Sequence, residues 1–372
     1  MRVAWLDYAR AFAAFSVLSF HYLAGTGIDF GLARDMAQYG YLGVQLFFMI
    51  SGFVISSSME GKTPREFVAG RLLRIYPTFV VCMTITAFVL FVIQGPQLPA
   101  AALQYLANLA VNPHVFGMPY IDGVYWTLAL EFEFYAAIAV LMLLGVADRP
   151  AIWHPLWVAA IVLGMVLHVD THAPLIGSYF AFFAAGAVIY DMRKRGTNLL
   201  HIGLLGTLAA VTVYSSVGEV AFLAVDRGHS LLGWYVLAIV ALFFVLFLVF
   251  EAADARGWRP PQAKLLGLMT YPLYLLHAQI GFVAFWLVGA AAPWQTYAAT
   301  TVLISGLALL VAGVIEPAIR PGWKRAIDAV VGLALPSRKA PGEALPDAAM
   351  PRNVGEMVPP PRFERGTPRS TI

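Results

Sequence analysis

The chain has 372 residues, of which 60% are hydrophobic and only 12% charged, and its mean hydropathy is +0.74. Soluble domains carry about 25% charged residues, so this composition excludes an ordinary globular protein and points to a polytopic membrane protein. In such a protein the net charge of +3 reports basic loops facing anionic lipid rather than a nucleic-acid surface.

Apolar runs predict about ten membrane helices, near 4–24, 40–58, 76–95, 123–146, 155–168, 175–190, 198–216, 231–250, 264–287 and 297–318, since about 20 residues cross the hydrocarbon core. The fold class is therefore all-α. The 155–168 and 175–190 runs are short, and a re-entrant pair is the alternative for them. The first run contains Arg10 and lacks a small-residue cleavage motif after it, so no cleavable signal peptide is expected. Arg2, then Lys62, Arg65, Arg71 and Arg74, then Arg149, Arg193 to Arg195, Arg256, Arg259 and Lys264, and finally Arg320, Lys324 and Arg325 fall in alternate loops. The intervening loops hold only Arg34 and Arg227, which predicts both termini in the cytoplasm. Residues 1–335 form the membrane domain. Residues 336–372, rich in Pro and charge, read as a disordered cytoplasmic tail.

Ionisable residues inside spans are costly and mark polar cavities. Arg10 and His21 are eleven residues apart, which puts them within about 20° of one helical face and roughly 16 Å apart along the axis. Asp7, one turn before Arg10, can pair with it. The plain alternatives are a snorkelling arginine and a packing histidine. In the second span Gly40, Gly43 and Gly52 permit close helix approach, while Gln45 and Ser51 need partners. Arg71 and Arg74, in GRLLRIYP, form a phosphate clamp or ordinary positive-inside charge; Tyr76-Pro77 marks the start of the next span.

The fourth span opens DGVYWTLALEFEFYAA. Tyr125 and Trp126 read as an interface anchor. Glu131 is placed near the depth of His21, where a carboxylate can fix an imidazole's tautomer. Tyr135 shares its face, and Glu133 points elsewhere as the structural acid of the two. In the ninth span YPLYLLH groups Tyr271, Tyr274 and His277 on one side, as a ligand wall or a packing face, and Pro272 is expected to bend the helix. The single cysteine, Cys82, rules out an internal disulfide and reads as a small apolar residue. No metal-ligand constellation is visible.

These motifs resemble the acyltransferase-3 family of integral-membrane O-acyltransferases, which modify bacterial surface polysaccharides, nodulation factors and macrolides. The resemblance runs from LDYARAFAAFSVLSFH through GVQLFFMISGFVI, RLLRIYP, WTLALEFEFY and FFAAGAVIY to GLMTYPLYLLH, about residues 3–320. Ala9 departs from it, since members more often have leucine there. It implies an acyl-CoA donor, acetyl-CoA foremost, bound from the cytoplasm in the bacterial inner membrane, and no metal. The acceptor would be a hydroxyl of a carbohydrate, lipid-linked glycan or macrolide. Carried over by position, His21 resembles the essential histidine, Arg10 the arginine of the same helix, Arg71 and Arg74 the basic pair, and Glu131 the acid. A stand-alone membrane domain is expected, without the hydrolase-like domain of fused members.

The spacing agrees with such a reaction. Arg71 and Arg74 suit the phosphates of CoA, and a histidine can take the proton of an attacking hydroxyl. The oxyanion donor is Tyr135, Tyr274 or Arg10, and the sequence does not choose among them. The alternative function is a transporter or flippase for a lipid-linked sugar or amphiphile, which predicts an internal repeat; none is visible.

Overall fold

The computed structural model describes residues 3–95, 97–227, 232–258, 260–261 and 264–335, with backbone alone for 94 and 221–227. Thirteen α-helices and no strand occur among the described residues. α1 (Ala4–Ser19) runs on through a π turn, Phe20–Ala24, and α2 (Leu32–Ala37) leads by a 3-10 turn into α3 (Gly43–Ser58). α4 (Pro64–Gln94) starts at a capping box. Thr63 Oγ1 accepts from Glu66 N, and Glu66 Oε2 accepts from Thr63 N, with Pro64 at the first helical position. α5 (Leu98–Asn108) is short, and α6 (Trp126–Leu143) follows a 3-10 turn capped by Asp122.

Next come α7 (Pro150–Val166), α8 (Phe180–Arg195), α9 (Leu199–Arg227) and α10 (Gly233–Ala255). α11 (Lys264–Ala284) also passes into a π turn, Phe285–Gly289. α12 (Pro293–Leu310) continues through a third, Val311–Ile315, into α13 (Glu316–Ala334).

Each of the ten expected spans falls on a helix, but the boundaries move. Seven helices among the described residues are long and apolar enough to cross a membrane: Leu32–Ser58, Pro64–Ile93, Gly123–Leu143, Leu199–Val220, Gly233–Ala255, Lys264–Gly289 and Pro293–Ala334. α1, α7 and α8 fall outside that set. α1 carries Asp7 and Arg10, and α8 ends in Arg193, Lys194 and Arg195. The two short spans also shift: α7 begins at Pro150 and α8 only at Phe180, and His168 and Leu175 turn the intervening chain with positive φ.

The expected start of a span at Tyr76-Pro77 is corrected. The helix begins at Pro64 and continues through a buried Pro77. Arg71 and Arg74 therefore stand on a helix and not in a loop. The expected tail, 336–372, lies outside the described residues, as do Arg2, Arg259 and the side chain of Arg227.

Large apolar side chains on the outside, among them Phe12, Phe88, Leu163, Trp286 and Val302, are exposed, as helices facing hydrocarbon require. Inside, α1 packs between α3 and α11; α11 also touches α4 and α12, and α9 lies between α8 and α10. The α3–α8 contact is backbone to backbone. A Cβ on Gly52 would lie 2.0 Å from Phe183 O, and one on Gly186 would lie 2.0 Å from Met49 O. Gly40 and Gly43 meet α1 the same way, at Ser16 O and Ala13 O. All three glycines singled out in the second span thus serve close packing, and Gly186 is a fourth.

Ion pairs gather several helix ends at one end of the bundle. Arg193 on α8 binds Glu251 and, at 3.0 Å, Asp254 of α10, and Lys194 pairs with Glu60 just past α3. Trp5 at the start of α1 packs on Phe247 and Phe250 of α10. The start of α1 and the ends of α3, α8 and α10 therefore share one side, as the alternating charge requires.

Candidate active site

Five helices, α1, α3, α4, α6 and α11, line one cleft. Arg10 enters from α1, Arg71 and Arg74 from α4, Ser51 from α3, Glu131 and Tyr135 from α6, and Tyr271 and Tyr274 from α11. Arg71 and Arg74 are three residues apart on α4, so both point to one side. Three guanidinium groups thus line one small cleft with a single wall carboxylate, Glu131. Asp7 sits 3.8 Å from Arg10. The walls keep an excess of positive charge, suited to an anion with several oxygens.

Glu131 is held by its neighbours. Tyr135 OH donates to its Oε1 at 2.6 Å, one turn along α6, and Ser51 Oγ donates to the same oxygen at 3.3 Å. This supplies the partner that Ser51 needed. Gln45 finds its own in the carbonyls of Tyr41 and Leu42, at 3.0 and 3.2 Å with its amide so oriented. Glu133 is absent from the cleft wall, and its buried Oε2 has no hydrogen-bond partner among the described residues.

Tyr274 OH lies 3.1 Å from Thr127 Oγ1 and donates to Val124 O at 3.4 Å. Tyr271 OH donates to Ile75 O at 3.3 Å, tying α11 to α4. Asp122, fully buried, accepts from Val124 N at 3.1 Å and from Gln279 N at 3.0 Å. This strut between α6 and α11 was missed in the sequence, where Asp122 had no assigned role, because no local pattern records the distant N–H of Gln279. Cys82 is buried and apolar in its role.

His21 lies outside this wall, beyond Tyr274. Tyr274 packs on Phe47, ring centroids 5.5 Å apart, and on the His277 ring, also at 5.5 Å. It therefore stands between the cleft and the histidines. His277 Nε2 lies 3.0 Å from His21 Nδ1. No direct hydrogen bond joins His21 to Glu131 among the described residues; the expected carboxylate–imidazole contact is replaced by an imidazole–imidazole one. Arg10, Arg71, Arg74, Glu131, Tyr135 and Tyr274 come together, while His21 and His277 form a second group at the C-terminal end of α1. No group of three or more His, Cys, Asp or Glu side chains arranged to hold a metal ion occurs among the described residues.

Comparison with known proteins fits this arrangement. The family model described as an acyltransferase domain matches residues 3–316. The O-acetyltransferase OatA of Staphylococcus aureus strain NCTC 8325 / PS 47 is 26% identical over 356 residues, covering 85% of this chain and 57% of that protein. Putative O-acetyltransferases of Staphylococcus aureus strains COL and MSSA476 are each 24% identical over 336 residues, covering 78% of this chain and 53% of theirs. The chain thus spans little more than half the length of these curated relatives, and no solved structure matches it. With its matched residues running from the start of α1 to the start of α13 and its arginines gathered on one membrane cleft, the chain belongs to the acyltransferase-3 family.

Proposed function

We propose that the protein is a multi-pass enzyme of the bacterial inner membrane, with ten membrane helices and both termini in the cytoplasm. It moves an acyl group, acetyl foremost, from acyl-CoA to a hydroxyl of a carbohydrate or glycolipid acceptor. The observation that carries this reading is the convergence of Arg10, Arg71 and Arg74 on one cleft beside a hydrogen-bonded Glu131. Bidentate guanidinium donors match phosphate oxygens, so Arg71 and Arg74 hold the phosphate groups of the donor. The acyl end extends toward His21, roughly 16 Å beyond Arg10 along α1.

In the transfer, the acceptor oxygen attacks the thioester carbonyl and His21 takes its proton. The C–S bond then breaks, and the thiolate leaves with that proton. The single hydroxyl hydrogen of Tyr135 is committed to Glu131 and that of Tyr274 to Val124 or Thr127. Arg10 lies with Arg71 and Arg74 at the end of the cleft that holds the donor phosphates, roughly 16 Å from His21 along α1, too far to hold an oxyanion formed beside His21.

The test is incubation of membrane vesicles with radiolabelled acetyl-CoA and a polysaccharide or glycolipid acceptor. Label should move to the acceptor, and His21→Gln, which stays polar but cannot act as a base near neutral pH, should lower turnover by about 10²–10⁴-fold. Near-normal turnover in His21→Gln removes His21 as the base. Acceptor movement across the vesicle without label transfer replaces the enzyme with a transporter.

A further inference from the structure

We propose that His277 is a positioning residue, which fixes His21 in the tautomer that carries its lone pair on Nε2. The inference rests on the reading of His21 as the base and adds which nitrogen does the work. It follows from the acceptors around the two rings. His277 Nδ1 lies 2.7 Å from Tyr274 O. A carbonyl only accepts, so Nδ1 carries the hydrogen, and Nε2 of the neutral ring is an acceptor. That Nε2 faces His21 Nδ1 at 3.0 Å, and the same His21 Nδ1 lies 2.9 Å from Val17 O. Two acceptors converge on one nitrogen, which must therefore be the protonated one. The lone pair of neutral His21 then resides on Nε2.

The opposite arrangement requires N–H groups on both nitrogens of His277, an imidazolium at a site with 0% exposure. Neither hydrogen-bond partner of that ring is a carboxylate, so this cation would be buried without a counter-ion.

The surroundings hold the two rings in register. Tyr22 OH donates to His277 O at 2.9 Å, pinning the residue after His21 to the backbone of His277. Gly281 makes room for that tyrosine, because a Cβ there would lie 2.1 Å from the Tyr22 ring. Phe20 and Phe282 meet the His21 ring edge-to-face, with centroids at 5.2 and 5.8 Å. The aromatic walls limit ring flipping, and the His277 lone pair selects the tautomer. His277 itself is unsuited to be the base, since both its nitrogens are engaged by the protein and its side chain is sealed off.

The first measurement is 15N NMR of histidine-labelled, detergent-solubilised protein, with the His21 signals assigned by their loss in His21→Gln. Neutral His21 should show Nδ1 protonated and Nε2 unprotonated. The reverse pattern in the wild-type protein overturns the inference whatever the activity assay gives. The second is turnover: His277→Leu should lower kcat by about 10–100-fold, the usual loss when a group that orients a histidine is removed, with the KM for acetyl-CoA unchanged. His277→Gln, whose amide oxygen can again accept from His21, should recover most of it. An unchanged kcat in His277→Leu, with His21→Gln inactive, overturns the positioning role alone. Activity kept in His21→Gln as well overturns the underlying assignment of the base. If His277→Leu does not fold, the wild-type spectrum and the glutamine variant decide.

Discussion

Replacing Tyr135 by phenylalanine removes one hydrogen-bond donor and leaves the ring. Tyr135 is 7% exposed, and its OH donates to Glu131 Oε1 at 2.6 Å, shorter than the 3.3 Å bond from Ser51. A hydrogen bond to a charged group contributes about 1.5–3 kcal/mol, and each 1.36 kcal/mol is about tenfold in rate. If that bond holds the carboxylate in its working orientation, Tyr135→Phe should lower kcat/KM by roughly 10- to 100-fold. Ser51→Ala should cost less, because its bond is long and Tyr135 still holds the same oxygen. The two changes share one partner, so their combined effect should depart from the sum of the singles. The assay is label transfer from acetyl-CoA in proteoliposomes, with protein recovery after gel filtration as the folding control. Wild-type kcat/KM in Tyr135→Phe alongside an inactive Glu131→Gln refutes the argument that this bond orients the acid. Wild-type values in both remove Glu131 from the reaction.

Arg71→Ala and Arg74→Ala should each raise the KM for acetyl-CoA about tenfold or more, the value of one charged hydrogen bond, with little change in melting temperature; an unchanged KM in both returns them to topology alone. Gly52→Ala should destabilise the protein by about 1–3 kcal/mol, the usual cost of overpacking, because its new methyl would lie 2.0 Å from Phe183 O. Gly206→Ala, whose methyl meets nothing within 4 Å, should leave melting in detergent unchanged or raised. In a Cys82→Ala background, a cysteine at Lys62 should resist membrane-impermeant thiol reagents in intact cells and react in inverted vesicles; the opposite pattern reverses the orientation.

The apolar helices were legible because apolar runs carry them directly, whereas α2, α5 and most of α13 lie outside the predicted runs. Arg10 and Glu131 were legible because a charge in a span must be spent on something, Tyr135 because it shares the face of Glu131, and Arg71 and Arg74 because two arginines three apart suit a phosphate; all five reach one wall. The start of α4 was misread because its charges resembled a loop. The Thr63-Pro64-Arg65-Glu66 capping signal was nevertheless written in the chain, and it carries the helix back across Arg71 and Arg74. His21 and His277 could not be paired in advance. They lie 256 residues apart, and no local pattern records which distant side chain an imidazole meets. The turn before α8 was equally hidden, since His168 and Leu175 adopt positive φ without a glycine to signal it.

The contact between Gly52 and Gly186 has a mechanical consequence. Where backbone meets backbone, no side chain is left to change rotamer, so α3 and α8 can neither slide nor roll past one another without driving a carbonyl oxygen into a neighbouring chain. They form a stiff plate, and Ser51, next to Gly52, fastens the carboxylate of Glu131 to it. α4 is seated differently: it rests on α11, α13 and α6 through side chains, with hydrogen bonds at Thr78 Oγ1 and the carbonyl of Ile75. Strain imposed on the cleft by a bulky occupant therefore finds no relief in movement of α3 against α8 and must be taken up by the helices that face them.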